Sequence, residues 1–223
     1  MTESRATVVT DPVRQRAIVF SIAFASFMVN LDTYIVNISL PTIAHSFQVG
    51  TDHVSWIVLS YALTISSTLL LFGRMGDIHG LRRFFLLGFG IFTVGSVLCG
   101  LSYSLFTLVA SRIIQGIGGS ILYALTPAMV PRYLPSNRQG AAYGITSTVA
   151  ALGITLGTPL GGILTGLVSW KLIFLVNIPF GVMAIWIGRW VLPPDSPAAD
   201  TKKRSSFDLA GTFLSAMASV LFI

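Results

Sequence analysis

Asp32 is the one acidic residue inside any stretch of this sequence that reads as membrane-spanning, and Arg112 is the one base in the middle of such a stretch. An ionised Asp at the centre of a membrane helix costs about 2.5–3.5 kcal/mol on insertion scales. Folding does not need that cost, so Asp32 reads as a functional group: a proton or cation site. Asp32 lies eight residues before Leu40, where its apolar stretch leaves the membrane, and Arg112 lies seven residues past Leu105, where its own stretch enters. At 1.5 Å per helical residue both sit roughly 10–12 Å from the same membrane edge. Paired there, each lowers the other's desolvation cost. Desolvation disfavours a carboxylate and a neighbouring guanidinium favours it. A bundle that opens to each side in turn changes both effects, so Asp32 could bind a proton in one state and release it in the other, with a cationic substrate competing. The alternative is a static ion pair, although apolar residues replace a purely structural pair at little cost or with gain.

The neighbours of the pair extend the pattern. Gln115, Gly116, Gly119 and Tyr123 follow Arg112 at helical spacing and make a candidate cavity-lining stripe. Tight helix packing is the other reading of its glycines. Gly153, Gly157 and Gly161 form a smooth ridge, with Gly162 and Gly166 beside it, of the kind that lets helices cross closely in lipid. Pro159 adds a kink or swivel to that helix. The segment Gly73 to Arg83 reads as a loop in which Gly76 and Gly80 allow a tight turn. There Asp77 bonds N–H groups at a helix start or pairs with an Arg, and Arg82 and Arg83 act as anchors.

These residues need a membrane scaffold to position them. Hydrophobic residues make up 53% of the 223, charged residues 10%, and the mean hydropathy is +0.80. Soluble domains carry about 25% charged residues, so the chain is an integral membrane protein. Its apolar runs are long and do not alternate, which selects helices over a barrel. Six spans are expected, at Ala17–Leu40, Val54–Phe72, Phe84–Leu101, Leu105–Val130, Ala141–Val168 and Leu172–Leu192. The organisation is then a cytoplasmic tail (1–16), a six-helix transmembrane bundle (17–192), a Pro-rich and basic cytoplasmic linker (193–208) and the beginning of a seventh span (209–223).

Twelve of the fourteen basic residues fall on one side of these spans. They are Arg5, Arg14 and Arg16, then Arg74, Arg82 and Arg83, then Arg132 and Arg138, then Arg189, Lys202, Lys203 and Arg204. The positive-inside rule places that side, and the N-terminus, in the cytoplasm. This sorting accounts for the net charge of +6 without nucleic acid. The four Trp residues lie near span ends, at the depth amphipathic rings prefer. Cys99 is alone, and His45, His53 and His79 have no ligand spacing, so no metal site and no cofactor is implied. No Ser/His, His/Glu or Cys/His group shares a depth, which argues against an enzyme.

Taken together, the segments resemble the major facilitator superfamily, in particular its fourteen-helix drug:proton antiporters. The resemblance rests on Leu31-Asp32 through Asn37 to Leu40-Pro41, on Gly73 to Arg83, on Arg112 to Gly119, on Gly153 to Gly162, and on Trp170 to Phe174 followed by Asn177-Ile178-Pro179-Phe180-Gly181. It departs from the family pattern at Ile78 and Leu81, where basic residues are usual, and at Pro159, one residue later than the usual Gly-Pro step. The resemblance implies an all-α polytopic fold made of two three-helix repeats, with Asp32 and Arg112 on the first helix of each. It adds Asn37 to the cavity-lining set and implies proton coupling at Arg112. The expected activity is export of small hydrophobic or cationic compounds in exchange for protons across the cell membrane. A carrier of one specific metabolite and a non-transporting fragment are the alternatives. The resemblance also implies a second, C-terminal helical bundle that the 223 residues do not include.

Overall fold

The computed structural model describes residues 8–195. The linker beyond 195 and the seventh span expected at 209–223 lie outside the described residues. Among the described residues eight helices occur in order: α1 (Pro12–Phe47), α2 (Thr51–Val54), α3 (Trp56–His79), α4 (Leu81–Gly100), α5 (Leu105–Tyr133), α6 (Ser136–Leu167), α7 (Leu172–Leu175) and α8 (Asn177–Val191). They make six spans by length and apolar composition, with α2–α3 forming the second and α7–α8 the sixth.

Local chemistry sets the ends. Pro12 opens α1 behind Asp11, whose carboxylate accepts the Val13 N–H at 3.0 Å. Thus α1 starts five residues inside the segment read as a tail. Ser104 and Thr107 close a reciprocal capping box at the start of α5. Pro41, Pro127, Pro131 and Pro159 lie within helices that continue through them. Neighbouring helices re-satisfy the freed backbone groups in such bundles.

The two triplets interlock. The most extensive contacts of α1 are with α6, while α5 packs on α3 and α4. The first helix of each triplet therefore lies against the second helix of the other. The paired helices run parallel: Gly153, Gly157 and Gly161 advance along α6 as Phe27, Leu31 and Ile35 advance along α1. At Gly153 an added Cβ would stand 2.5 Å from Phe27 O, and at Gly157 2.9 Å from Tyr34 Cβ. Gly162 and Gly166 face open space and take no part in this crossing.

The Gly73–Arg83 segment is not a loop. Helix α3 runs on to His79, and a single non-helical residue, Gly80 at φ +101°, separates it from α4. Gly76 makes room for the Leu125 side chain rather than for a turn, and a Cβ at Gly73 would meet only ordinary contact with Ala124. Asp77 is exposed on the last turn of α3 and caps nothing in α4. That role belongs to Asp195, whose carboxylate accepts the N–H groups of Arg82 (3.1 Å) and Arg83 (3.0 Å). The Arg82 guanidinium donates to Arg189 O at 2.6 Å, tying α4 to α8. Trp56, Trp186 and Trp190 are exposed near span ends, but Trp170 is buried and donates to Ser46 Oγ at 3.0 Å.

Two apolar clusters fill the bundle. One holds Ile22, Val29, Tyr61, Phe92 and Ile121; the other holds Ile35, Ile57, Cys99, Leu108 and Phe174. Along α1, α4 and α5 the polar residues Asp32, Ser96 and Arg112 fall between a member of one cluster and a member of the other. The functional candidates thus form a polar layer at the seam.

Candidate functional site, a buried ion pair at the seam of the bundle

Asp32 and Arg112 meet in this layer. Arg112 Nη1 donates to Asp32 Oδ2 at 2.6 Å, and both side chains have no solvent exposure. Asp32 Oδ1 accepts two further N–H groups, from Gln115 Nε2 and Asn177 Nδ2, each at 2.8 Å. Three N–H donors from two helices, α5 and α8, therefore hold a carboxylate carried by α1. Charge-assisted bonds of this length are the strong class.

Arg112 has further partners on its other sides. Its Nη1 also donates to Gln115 Oε1 at 2.8 Å, and its Nε donates to Ile57 O at 3.2 Å. The guanidinium carbon lies 3.8 Å from the Tyr61 ring centre, a cation–π stack. Gln115 is the hinge of the network, since its Oε1 takes Arg112 while its Nε2 serves Asp32 and Ser96 Oγ (2.8 Å). Two polar atoms here are buried without a partner: Arg112 Nη2 and Tyr61 Oη. Unsatisfied groups of this kind mark places that strain or later use explains. Asp32 is the one fully buried acid among the described residues.

The other site candidates lie elsewhere. Gly116 and Gly119 are buried in a helix contact; a Cβ at either would stand 2.9 Å from Thr64 Cβ or Tyr61 Oη, so they seat α3 against α5. Asn37 is exposed on α1, away from the polar layer. Tyr123 is 44% exposed, and its hydroxyl donates to Asn30 Oδ1 at 3.2 Å. Asn37 and Tyr123 are therefore exposed surface residues of α1 and α5 in this structure. Asn177, Ser96 and Tyr61 belong to the network although no sequence signal assigned them to it. Asn177 stands in the Asn177-Ile178-Pro179-Phe180-Gly181 segment, and a polar residue inside the apolar sixth span was the available clue.

The family model of the Major Facilitator Superfamily matches residues 22–222. The chain belongs to the Major Facilitator Superfamily. Among curated relatives of this major facilitator, the riboflavin transporter RibZ of Clostridioides difficile is 41% identical over 202 residues, covering 91% of the chain and 44% of RibZ. The multidrug resistance protein Stp of Mycobacterium tuberculosis is 35% identical over 189 residues, 84% of the chain and 34% of Stp. A putative multidrug resistance protein, MdtD of Pectobacterium atrosepticum, is 35% identical over 202 residues, 91% of the chain and 42% of MdtD. The chain thus spans less than half the length of these relatives. A crystal structure of a bacterial homologue of the human lysosomal transporter Spinster, inward-facing and occupied, superposes with a TM-score of 0.73 at 19% identity, covering 88% of this chain and 48% of that one. That likeness establishes the fold: an all-α polytopic bundle. Paired helix triplets are a recognised feature of major facilitators, and the interlocked packing above is how this chain builds them. The family is one of transporters, not enzymes.

Proposed function

We propose that this chain is the N-terminal half of a proton-coupled secondary transporter that exports hydrophobic or cationic compounds in exchange for protons. The observation that carries the reading is the fully buried carboxylate of Asp32, held by three N–H donors at the crossing of α1, α5 and α8. A neutral carboxyl group has an O–H to donate and less capacity to accept. A proton on Oδ2 therefore removes the negative charge that makes the Arg112 bond strong, and frees the guanidinium to leave it. Arg112 then keeps Gln115 Oε1, Ile57 O and the Tyr61 face, so the cation has places to stay. Proton binding in this scheme removes the charged bond between the first helices of the two triplets and leaves only the Gln115 amide on Asp32 Oδ1, and proton release restores it. Alternating exposure of the layer to the two sides of the cell membrane would couple that exchange to substrate movement. The basic end of the bundle and the N-terminus face the cytoplasm in this reading, with the bilayer, protons and a small substrate as partners.

The test uses the complete transporter in vesicles. Asp32→Asn keeps an amide oxygen for the Arg112 N–H, and is expected to insert with a lowered unfolding midpoint and to lose uptake driven by a pH gradient. Unchanged coupling removes Asp32 from the mechanism. A second reading, carriage of one specific metabolite, is favoured by the 41% identity to a protein named a riboflavin transporter. Competition separates the two. Inhibition of transport by several unrelated lipophilic cations supports the multidrug reading, whereas inhibition by riboflavin alone supports the metabolite carrier.

A further inference from the structure

Far from Asp32, the N-terminal halves of α1 and α6 part to leave a groove of about 450 Å³. Its direction follows from its flanks. Tyr143, on the other side of α6, donates its hydroxyl to Pro127 O of α5 at 3.2 Å. Phe20, on the groove wall, also borders a cleft with Ala184 and Ile187 of α8. The groove therefore opens on the outer flank between α6 and α8, roughly 18 Å along α1 from Asp32 at 1.5 Å per residue.

Its lining is amphipathic. Val19, Ile145 and Val149 make an apolar floor, and Arg16 and Arg138 stand exposed at the mouth. Neither guanidinium has a hydrogen bond or ion pair within the described residues, and no acidic side chain lines the groove. A second observation is independent of these charges. Gln15, 5% exposed, lines the same groove; its Nε2 donates to Val9 O at 2.6 Å, and its Oε1 is buried with no donor. A buried acceptor left in that state is costly and calls for a partner.

We infer that this groove seats an anionic phospholipid of the phosphatidylglycerol type. Arg16 and Arg138 hold the phosphodiester, a turn of the Gln15 amide brings its covered Oε1 to accept from a glycerol hydroxyl of the head group, and one acyl chain lies along Val19, Ile145 and Val149. Basic pockets between membrane helices bind anionic head groups by this chemistry. Phosphatidylcholine offers no head-group donor and no net charge. Phosphatidylethanolamine offers a donor but brings a third cation between the two arginines. The site stands whether or not Asp32 titrates.

Cys99 is buried, so an added surface cysteine is labelled selectively. The full chain carrying Ala141→Cys with a photoactivatable label, in nanodiscs of defined lipid, reads occupancy as cross-linked phospholipid by mass spectrometry. Phosphatidylglycerol is expected to cross-link, and phosphatidylcholine in its place is not. Arg16→Gln with Arg138→Gln is expected to lower the yield roughly tenfold or more, given the contribution of each basic residue near an anionic surface. Val149→Trp, which fills the floor and leaves both arginines, is expected to give a comparable loss. Equal labelling by phosphatidylcholine, preference for phosphatidylethanolamine, or an unchanged yield in either variant overturns the assignment. The lipid-exchange comparison needs no substitution at the arginines, so it holds independently of how those variants fold.

Discussion

The Asp32 carboxylate takes its three donors from three different side chains, and each can be removed separately. Arg112→Leu leaves a buried negative charge without its counter-charge, and is expected to destabilise the bundle by about 3–5 kcal/mol. Asp32→Asn combined with Arg112→Leu removes both charges and is expected to recover most of that loss while remaining unable to couple protons. Thermal unfolding in detergent, alongside pH-driven uptake by the complete transporter, checks both. A double variant as unstable as Arg112→Leu alone would make the pair a structural fixture. Asn177→Leu deletes one bond to a charged acceptor and leaves Gln115 on the same oxygen; its expected cost is about 1.5–3 kcal/mol, read as a lowered unfolding midpoint. The two charges of this site were legible in the sequence because a charge in an apolar run is costly wherever it sits. Asn177 and Ser96 were not, because neutral side chains carry no such signal and only the meeting of α1, α4, α5 and α8 brings them to Asp32. Tyr61 reads as a core aromatic until the guanidinium is placed over its ring.

Helix contacts in this bundle depend on which glycines meet a neighbour. Gly153→Ala would press a methyl group against Phe27 O, a backbone atom that no rotamer change can move, and is expected to cost about 1–3 kcal/mol. Gly162→Ala meets open space, so relief of the glycine's entropic cost dominates and the change is expected to be neutral or stabilising by up to about 1 kcal/mol. Unfolding midpoints of the two variants, measured side by side, check the sign of each. The spacing of the glycines alone could not separate 153 from 162, since it shows a ridge and not what lies across it. The α3–α4 junction failed for a related reason. Gly73, Gly76 and Gly80 look alike as chain breakers, yet the first two stay within α3, where Gly76 seats the Leu125 side chain, and only Gly80 leaves the helix. The cap on α4 comes from Asp195, more than a hundred residues away in sequence, so no local pattern announced it. Asp195→Ala is expected to weaken the start of α4 by about 0.5–2 kcal/mol, seen as faster hydrogen exchange at Arg82 and Arg83.

Burial is uneven among the six spans, and this bears on what the 223 residues can do. Over their most apolar windows α1 and α5 are 56% buried, whereas the α2–α3 span is 22% buried and α6 only 17%. Apolar exposure alone would suit lipid. Asn37 and Tyr123, however, leave polar groups on the exposed surface of α1 and α5, and such groups in lipid are expensive and face a cavity or a partner as a rule. The proposed second bundle supplies that cover and, with it, the opposite wall of a substrate path between halves. In the proposed mechanism that opposite wall is what the polar layer around Asp32 rocks against to meet the two sides in turn. The 223-residue chain by itself is therefore expected to insert into vesicles and to give no substrate-dependent proton flux, while co-expression with the C-terminal half of its transporter is expected to restore flux. Sustained flux from a verified monomer of the chain alone would mean that six spans suffice, and that the exposed polar surface of α1 and α5 is itself a path rather than half of one.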